Sequence, residues 1–273
     1  MPRLSTDQIE RYQRDGYVSP LVAFAPSAAA AYRAKLEAGE RGYGLGADQR
    51  RKMHLYSKWV DEIVHSPGIL DAVSDLIGPD ILLYHVTLWL KEPRTDAFIS
   101  WHQDSTYFGL GSPDHVTAWV ALTPSTLESG CVQVVPGSHH GGQVMHDRGE
   151  DEANMLPGQE IKVPPDARID TMVLAPGEFS LHQTYVHHNS MANRSNDRRI
   201  GLGISYIPTR ARCSARQRLT AMLMRGTDRY GHFDPEPRPI ADFDPAARAF
   251  HEGAVRRWHA ARAELIPRAH SSG

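Results

Sequence analysis

Cysteine is nearly absent. The 273-residue chain holds two, Cys131 and Cys213, too few for a disulfide scaffold and without the C-x-x-C spacing of a thiolate metal site. A charge excess of one sign is missing too: 30 Lys and Arg face 32 Asp and Glu. Such a surface exerts no general electrostatic pull on nucleic acid or on an anionic membrane. No apolar run is long. The stretch Leu21 to Ala30 is interrupted by Pro26 and falls short of the ~20 residues that span a bilayer. The opening MPRLSTDQIERYQ is too polar for a signal peptide, and the ending AHSSG is not a peroxisomal address of the SKL type. The expectation is a cytoplasmic protein without nucleic-acid or membrane partners.

What is present is an ordinary globular composition. Hydrophobic residues make up 41% and charged residues 23%, enough apolar material to build a core and exclude global disorder. Ser5 and Gln8 form a capping-box pattern for a helix through Arg14, stopped by Gly16. Ala28 to Ala38 is Ala-rich and predicts a second helix. Ile63, Ile69, Leu70, Val73 and Ile77 supply one or two more, broken at Pro67 and ended by Gly78-Pro79. The first 80 residues therefore read as mostly helical. From Ile81 the period changes. Segments 81–91, 116–123, 131–135, 171–174, 179–182 and 200–207 are dense in aliphatic, β-branched and aromatic residues. Turn signals such as Pro136-Gly137 and Pro176-Gly177 separate them. Many short strands predict a sandwich or jelly-roll barrel. Residues 246–265 return to helical spacing, with Phe250, Ala254, Trp258, Ala261 and Leu265 on one face. The reading is one mainly β domain over 1–273, with a helical N-terminal region over 1–80, a β core about 81–210, and a C-terminal loop and helix over 211–273.

Histidine is plentiful, so chance must be weighed before any motif is believed. Random placement of 15 His and 19 Asp gives about one His-x-Asp, and the chain has two: His102-Gln103-Asp104 and His232-Phe233-Asp234. The first lies just after a strand-like segment. Residues i and i+2 of a strand share a face, so His102 and Asp104 can converge on one metal ion. A second imidazole from a distant strand would complete two His and one carboxylate, the facial set of non-haem Fe(II) oxygenases. The segment 180–206 offers His182, His187 and His188.

Here the sequence resembles the phytanoyl-CoA dioxygenase family of Fe(II)/2-oxoglutarate-dependent oxygenases. Its H-x-S-x-x-N-x-S pattern, with Arg eleven residues after the His, is matched by His188, Ser190, Asn193, Ser195 and Arg199. The stretches WHQDSTYFGL and AWVALTPSTLESGCVQVVPGSHHGG, and the opening DQIERYQRDGYV, also look like the family. The resemblance implies a double-stranded β-helix (jelly roll, cupin-like) with flanking helices at both termini. It implies Fe(II) on His102, Asp104 and His188, with 2-oxoglutarate and O2 as cosubstrates, and hydroxylation of a small-molecule C–H bond with release of succinate and CO2. Arg199 would hold the far carboxylate of 2-oxoglutarate, with Ser190 donating to the same group. Trp119 would line that pocket or simply fill the core. Lys52 matches a basic residue near the cosubstrate; the alternative is a solvated lysine. Gln103 would support the two ligands that flank it. Halogenases of this general type carry Gly or Ala in place of the carboxylate, so Asp104 favours hydroxylation. Two positions depart from the pattern: Asn189 stands for the usual Gly and Ala192 for the usual Pro, which bears on pocket shape.

Other readings compete with this one. His251 and Arg262 are also eleven apart and follow His232-x-Asp234. Their segment is helical, however, and eleven residues of helix span ~16 Å, too far for one small acid to bridge. His187 faces away from His188 if the segment is extended, and His182 is either a supporting group or a core histidine. Pocket-mouth candidates are Tyr107, Phe108, His139 and the run 225–233. Different classes of function remain open: a jelly-roll binding protein with a non-catalytic metal, or a hydrolytic Zn site on the same three residues.

Overall fold

A computed structural model describes residues 3–265 except 111, 148, 150 and 157–159. The N-terminal region follows local rules closely. In α1 (Thr6–Asp15) the Ser5 side chain accepts from the Gln8 amide and Gln8 reaches back to the Ser5 amide, and Gly16 ends the helix at φ +83°. α2 (Pro26–Tyr43) is longer than the Ala-rich segment. Pro26, which interrupts the apolar run in the sequence, occupies the first turn, where a missing N–H costs nothing. α3 (Lys58–Val64) and α4 (Pro67–Ile77) divide at Pro67 as expected. The mostly helical reading of 1–80 misses one element, the strand β1 (Tyr17–Val22). Pro20 disguises it. β1 is an edge strand paired only with β7 (Glu178–Gln183), a position that tolerates proline.

Among the described residues the β region forms two sheets. The larger runs β1, β7, β4 (Val116–Ala121), β9 (Arg199–Pro208), β2 (Ile81–Lys91), β10 (Thr220–Arg225), β11 (Asp234–Pro235). The smaller runs β3 (Ile99–His102), β8 (His188–Ser190), β5 (Val132–Val134), β6 (Asp170–Met172). All pairings are antiparallel except β10 with β11. The strands thus extend past residue 210, where the sequence shows only a loop.

Side chains of both sheets meet between them: Tyr17, Trp119 and Ala121 from the larger, Val132, Val134 and Met172 from the smaller. This is the double-stranded β-helix that the resemblance implies. On the other face of the larger sheet, α3 and α4 bury Trp59, Val60, Ile63, Ile69 and Val73 in one core with Val86, Leu88, Leu202 and Ile204. α6 (Pro245–Leu265) buries Ala254, Val255, Trp258 and Ala261. No helix among the described residues is long and apolar enough to cross a membrane.

Candidate metal centre

Sheet register brings the two imidazoles together. His102, the last residue of β3, pairs directly with His188, the first of β8. Asp104 arrives differently from the extended geometry expected for i and i+2. Its backbone is already helical (φ −61°, ψ −37°), at the start of the one-turn helix α5 (Ser105–Phe108). The end of a strand and the beginning of a turn, not a continuous strand, aim its carboxylate at the imidazoles. Asp104 Oδ1 lies 3.9 Å from His102 Nε2 and 3.7 Å from His188 Nε2. One donor atom from each of the three residues falls within 4.8 Å of the others. Adjacent ligands each ~2.1 Å from one ion stand ~3 Å apart in a facial set, so these atoms need to close by about 1–2 Å to hold a metal. Among the described residues this is the one such cluster of three.

The surroundings prepare each donor. His102 Nδ1 is 2.8 Å from Ser100 O and His188 Nδ1 is 3.0 Å from Val186 O. A carbonyl only accepts, so both Nδ1 atoms carry the proton and both Nε2 lone pairs face the centre. Thr117 Oγ1 donates to Asp104 Oδ2 at 2.5 Å, and His182 Nε2 lies 3.2 Å from the same oxygen. Oδ2 is thereby occupied and Oδ1 is left for a metal. Burial pushes His102 down to about 4 and holds His188 well below the usual imidazole value. Burial alone would raise the Asp104 carboxyl, but His188, His182 and His115 outweigh it and hold it well below the carboxylate range. All three groups are in the unprotonated form that metal binding requires.

A small cavity of about 50 Å3 joins these residues to Trp89, Trp119, Ser190 and Arg199. Arg199 is 1% exposed. It makes no ion pair among the described residues, and its Nε has no partner. Its guanidinium carbon stands 5.1 Å from the Trp119 ring centroid, and Nη2 makes a long 3.4 Å contact with Ser190 Oγ. Burial lowers its pKa to about 10, so it remains a cation without a counter-ion. That is an unfavourable arrangement unless an anion joins it. A small dicarboxylate reaching from the metal to Arg199 fits this cradle.

Not every residue picked from the sequence reaches the site. The hydroxyl proton of Ser190 goes to Gly130 O at 2.7 Å, so the spare donors toward a carboxylate belong to Arg199. Lys52 is elsewhere: its ammonium is taken up by Tyr84 O, Thr220 O and Glu236 Oε1, the last at 2.5 Å, and Glu236 also meets His54. It is buried, not solvated, and it ties the loop after β11 to the sheet. Gln103 points away from the ligands, binding Gly142 O, Tyr185 O and the Val144 amide. His187 is half-buried and outside the cluster, while His182 touches the ligand carboxylate. His139 packs on the end of α1 through Gln13 O. In the run 225–233, Phe233 is buried 5.5 Å from Tyr84, and none of the run lines a cavity at the cluster. His251 is bonded to Arg51 O. Asn189 does line the small cavity, with its Oδ1 unpartnered.

Sequence reasoning misses one basic group. Lys91, the last residue of β2, pairs across the sheet with Arg199. Its Nζ lies within hydrogen-bond reach of Ser190 O, Ser190 Oγ and Met191 O. Burial, and then the charge of Arg199, push it down to about 6. Its place opposite Arg199 is set by strand pairing, and local sequence carries no signal for it.

A family model described as phytanoyl-CoA dioxygenase (PhyH) matches residues 12–201. The chain belongs to the phytanoyl-CoA dioxygenase family. A probable alpha-ketoglutarate-dependent hypophosphite dioxygenase of Stutzerimonas stutzeri is 28% identical over 156 residues, 56% of this chain and 54% of that one. The L-proline trans-4-hydroxylase of Streptomyces griseoviridis is 31% identical over 111 residues, 39% of each chain. The alignments thus span about half, or less, of the length of these curated relatives. Among solved structures, the apo form of the non-heme monooxygenase ThoJ is 33% identical. It superposes with a TM-score of 0.85, over 95% of this family member and 98% of that chain. CytC3 with Fe(II) and alpha-ketoglutarate, at 22% identity and TM-score 0.67 over 88% of this chain and 96% of that one, shares the fold.

Proposed function

We propose that this protein is an Fe(II)- and 2-oxoglutarate-dependent dioxygenase that hydroxylates a C–H bond of a small-molecule metabolite, releasing succinate and CO2. The observation that carries the reading is a single small cavity containing both the two-His, one-carboxylate set and the unpaired, buried Arg199. A binding module or a hydrolytic zinc site has use for the first and none for the second. The relatives named above, an oxygenase of hypophosphite and a hydroxylase of proline, favour the same chemistry on small molecules. A cytoplasmic location for one domain over 1–273 belongs to the same proposal, supported by the unpaired Cys131 and Cys213.

When bound by His102, Asp104 and His188, Fe(II) supplies dioxygen activation and the oxidising power for C–H cleavage. The protein does the rest. Ser100 O and Val186 O fix the imidazole tautomers, and Thr117 and His182 hold Asp104 so that one oxygen faces the centre. Arg199 gives the cosubstrate carboxylate a permanent charge and a planar fork, and Lys91 keeps Ser190 and the start of β9 in place beside it. Trp89 and Trp119 exclude water from the cavity. Three protein ligands leave room for cosubstrate and oxygen, and the presence of Asp104 favours oxygen transfer over halogen transfer.

The test is anaerobic addition of Fe(II) and 2-oxoglutarate to the purified chain. Bidentate binding of the cosubstrate gives a weak visible charge-transfer band in the wild type, and Arg199→Ala weakens its formation. A wild-type protein that binds iron but never develops the band is a binding module or a hydrolase. Substrate-stimulated succinate release then identifies the metabolite.

A further inference from the structure

A second, larger cavity of about 220 Å3 shares Trp89, His102 and Asp104 with the first, and its charge pattern is not explained by the cosubstrate. Its walls are largely apolar and aromatic, with Trp89, Tyr107, Phe108 and Trp258 prominent. Trp258 comes from α6, which closes this side of the site and stacks on His85 at 4.8 Å. At the same wall stand two guanidinium groups. Arg51 and Arg262 lie 5.3 and 5.5 Å from the Trp258 ring, and Arg262 lies 5.3 Å from the ring of Tyr107.

Arg262 makes no hydrogen bond and no ion pair among the described residues. Arg51 is partly neutralised by Asp48 at 3.0 Å, but Asp48 is shared with His259. A third guanidinium in the lining, Arg50, donates to Leu45 O and has no carboxylate partner among the described residues. Among the described residues the one carboxylate lining the cavity is Asp104, and that belongs to the metal set. Guanidinium groups do not shed their protons. Holding them close together and partly out of water, without a counter-ion, is costly until an anion arrives. Stacking on Trp258 and Tyr107 orients them but supplies no negative charge.

We infer that this cavity takes a substrate with an anionic head, a carboxylate or a phosphonate, and an aromatic or aliphatic body. Arg262, assisted by Arg51, holds the head, and the body lies along Trp89 and Phe108 toward His102 and Asp104. The inference rests on the oxygenase reading for the word substrate. The charge argument itself concerns only the cavity. The volume suits a metabolite of modest size. Arg262 thereby acquires a role that the eleven-residue spacing from His251 does not give it.

The test uses the full chain loaded with Ni(II) and saturated with 2-oxoglutarate, so that Arg199 is already occupied. Calorimetric titration compares 3-phenylpropanoate, 2-phenylethylphosphonate, neutral 3-phenylpropanamide and cationic 3-phenylpropylamine. The acids should bind at least tenfold more tightly than the amide and the amine. Arg262→Gln should weaken the acids about 10- to 100-fold and leave the amide unchanged, while Arg262→Lys recovers some of the loss. The tighter of the two acids identifies the head group. An amide or amine that binds as well as the acids, or an Arg262→Gln variant with wild-type acid affinity, overturns the proposal. The Fe(II)–2-oxoglutarate absorption band, read anaerobically on the same proteins loaded with Fe(II) in place of Ni(II), separates the two readings. Its presence without acid binding sinks only the anion-head proposal, whereas its absence in the wild type sinks the oxygenase reading.

Discussion

Strand β9 carries two glycines, Gly201 and Gly203, because two indoles lie against it. A Cβ added to Gly201 would stand 2.2 Å from Trp119 Cζ2 and 2.6 Å from Cη2; one added to Gly203 would stand 2.9 Å from Trp89 Nε1. Carbon atoms in contact prefer about 3.5–4.0 Å. In Gly201→Ala the Trp119 ring must therefore retreat by more than about 1 Å. The retreat is resisted: Trp119 is 5% exposed and packed with Val132, Val134, Met172 and Leu174 between the sheets. Overpacking of this kind costs about 1–3 kcal/mol, and the rigidity of a buried indole puts this case near the upper end. At about 2–4 °C per kcal/mol for a chain of this size class, Tm should fall by roughly 4–12 °C.

Any displacement of the ring disturbs its contact with Arg199, 5.1 Å away, so cosubstrate affinity should fall together with stability. Both can be read on one preparation, by calorimetric unfolding and by titration of 2-oxoglutarate into the Ni(II)-loaded chain. Trp119→Leu placed in the Gly201→Ala background makes room for the new methyl and should recover some of the lost stability, a coupling that a double-mutant cycle isolates. Gly42 provides the control. It lies in α2 and a Cβ there meets nothing within 4 Å, so Gly42→Ala should be neutral or stabilising by up to about 1 kcal/mol. A Gly201→Ala protein with wild-type Tm and wild-type 2-oxoglutarate affinity would refute the packing argument and, with it, the position assigned to Trp119.

Three further outcomes are expected. Asp104→Gly should lose most of its iron, measured after desalting, because only two imidazoles remain; a variant that retains stoichiometric iron would show that Asp104 is not a ligand. Lys52→Met leaves Glu236 buried beside His54 with its charge uncompensated, a loss of about 3–5 kcal/mol in urea unfolding. The folded fraction should still bind 2-oxoglutarate with wild-type affinity, and a weakened affinity would return Lys52 to the cosubstrate site. The metal-free protein should lose stability between pH 6.5 and pH 4. Burial pushes His102 and His115 down to about 4, so over that window the unfolded chain binds protons that the fold refuses. The loss is roughly 1.4 kcal/mol per pH unit for each such imidazole, and a urea midpoint that stays flat from pH 6.5 to 4.5 would contradict it.

The features of this site that are legible in the sequence are those whose geometry is carried over a few residues. His102 and Asp104 are two apart, and Ser190 and Arg199 follow His188 at set intervals, so each motif holds its own spacing whatever the rest of the chain does. The features that are not legible depend on partners far along the chain. Lys52 and Lys91 illustrate the limit, since each is a single lysine beside apolar or mixed sequence. One turns into the core to meet Glu236, 184 residues away. The other turns inward onto Ser190, 99 residues away. Local sequence contains no trace of either encounter, and a family-level match selects the lysine that the fold uses elsewhere.

Arg262 shows the same limit from the opposite direction. Its helix is expected from the spacing, and three residues of its apolar face, Ala254, Trp258 and Ala261, are buried as that spacing requires. Periodicity says which side of α6 is covered, but not by what, because that depends on where the chain returns after β11. In this fold it returns across the mouth of the metal site. Trp258 becomes a wall of the larger cavity, and the arginine one turn further on becomes its unpaired cation. The chemistry of the centre is therefore written in short motifs, while selection of what enters it is decided by how a distant helix docks. Relatives that keep the motifs and change that helix should keep the reaction and change the substrate, which exchanging the residues at 258 and 262 between such proteins would test directly.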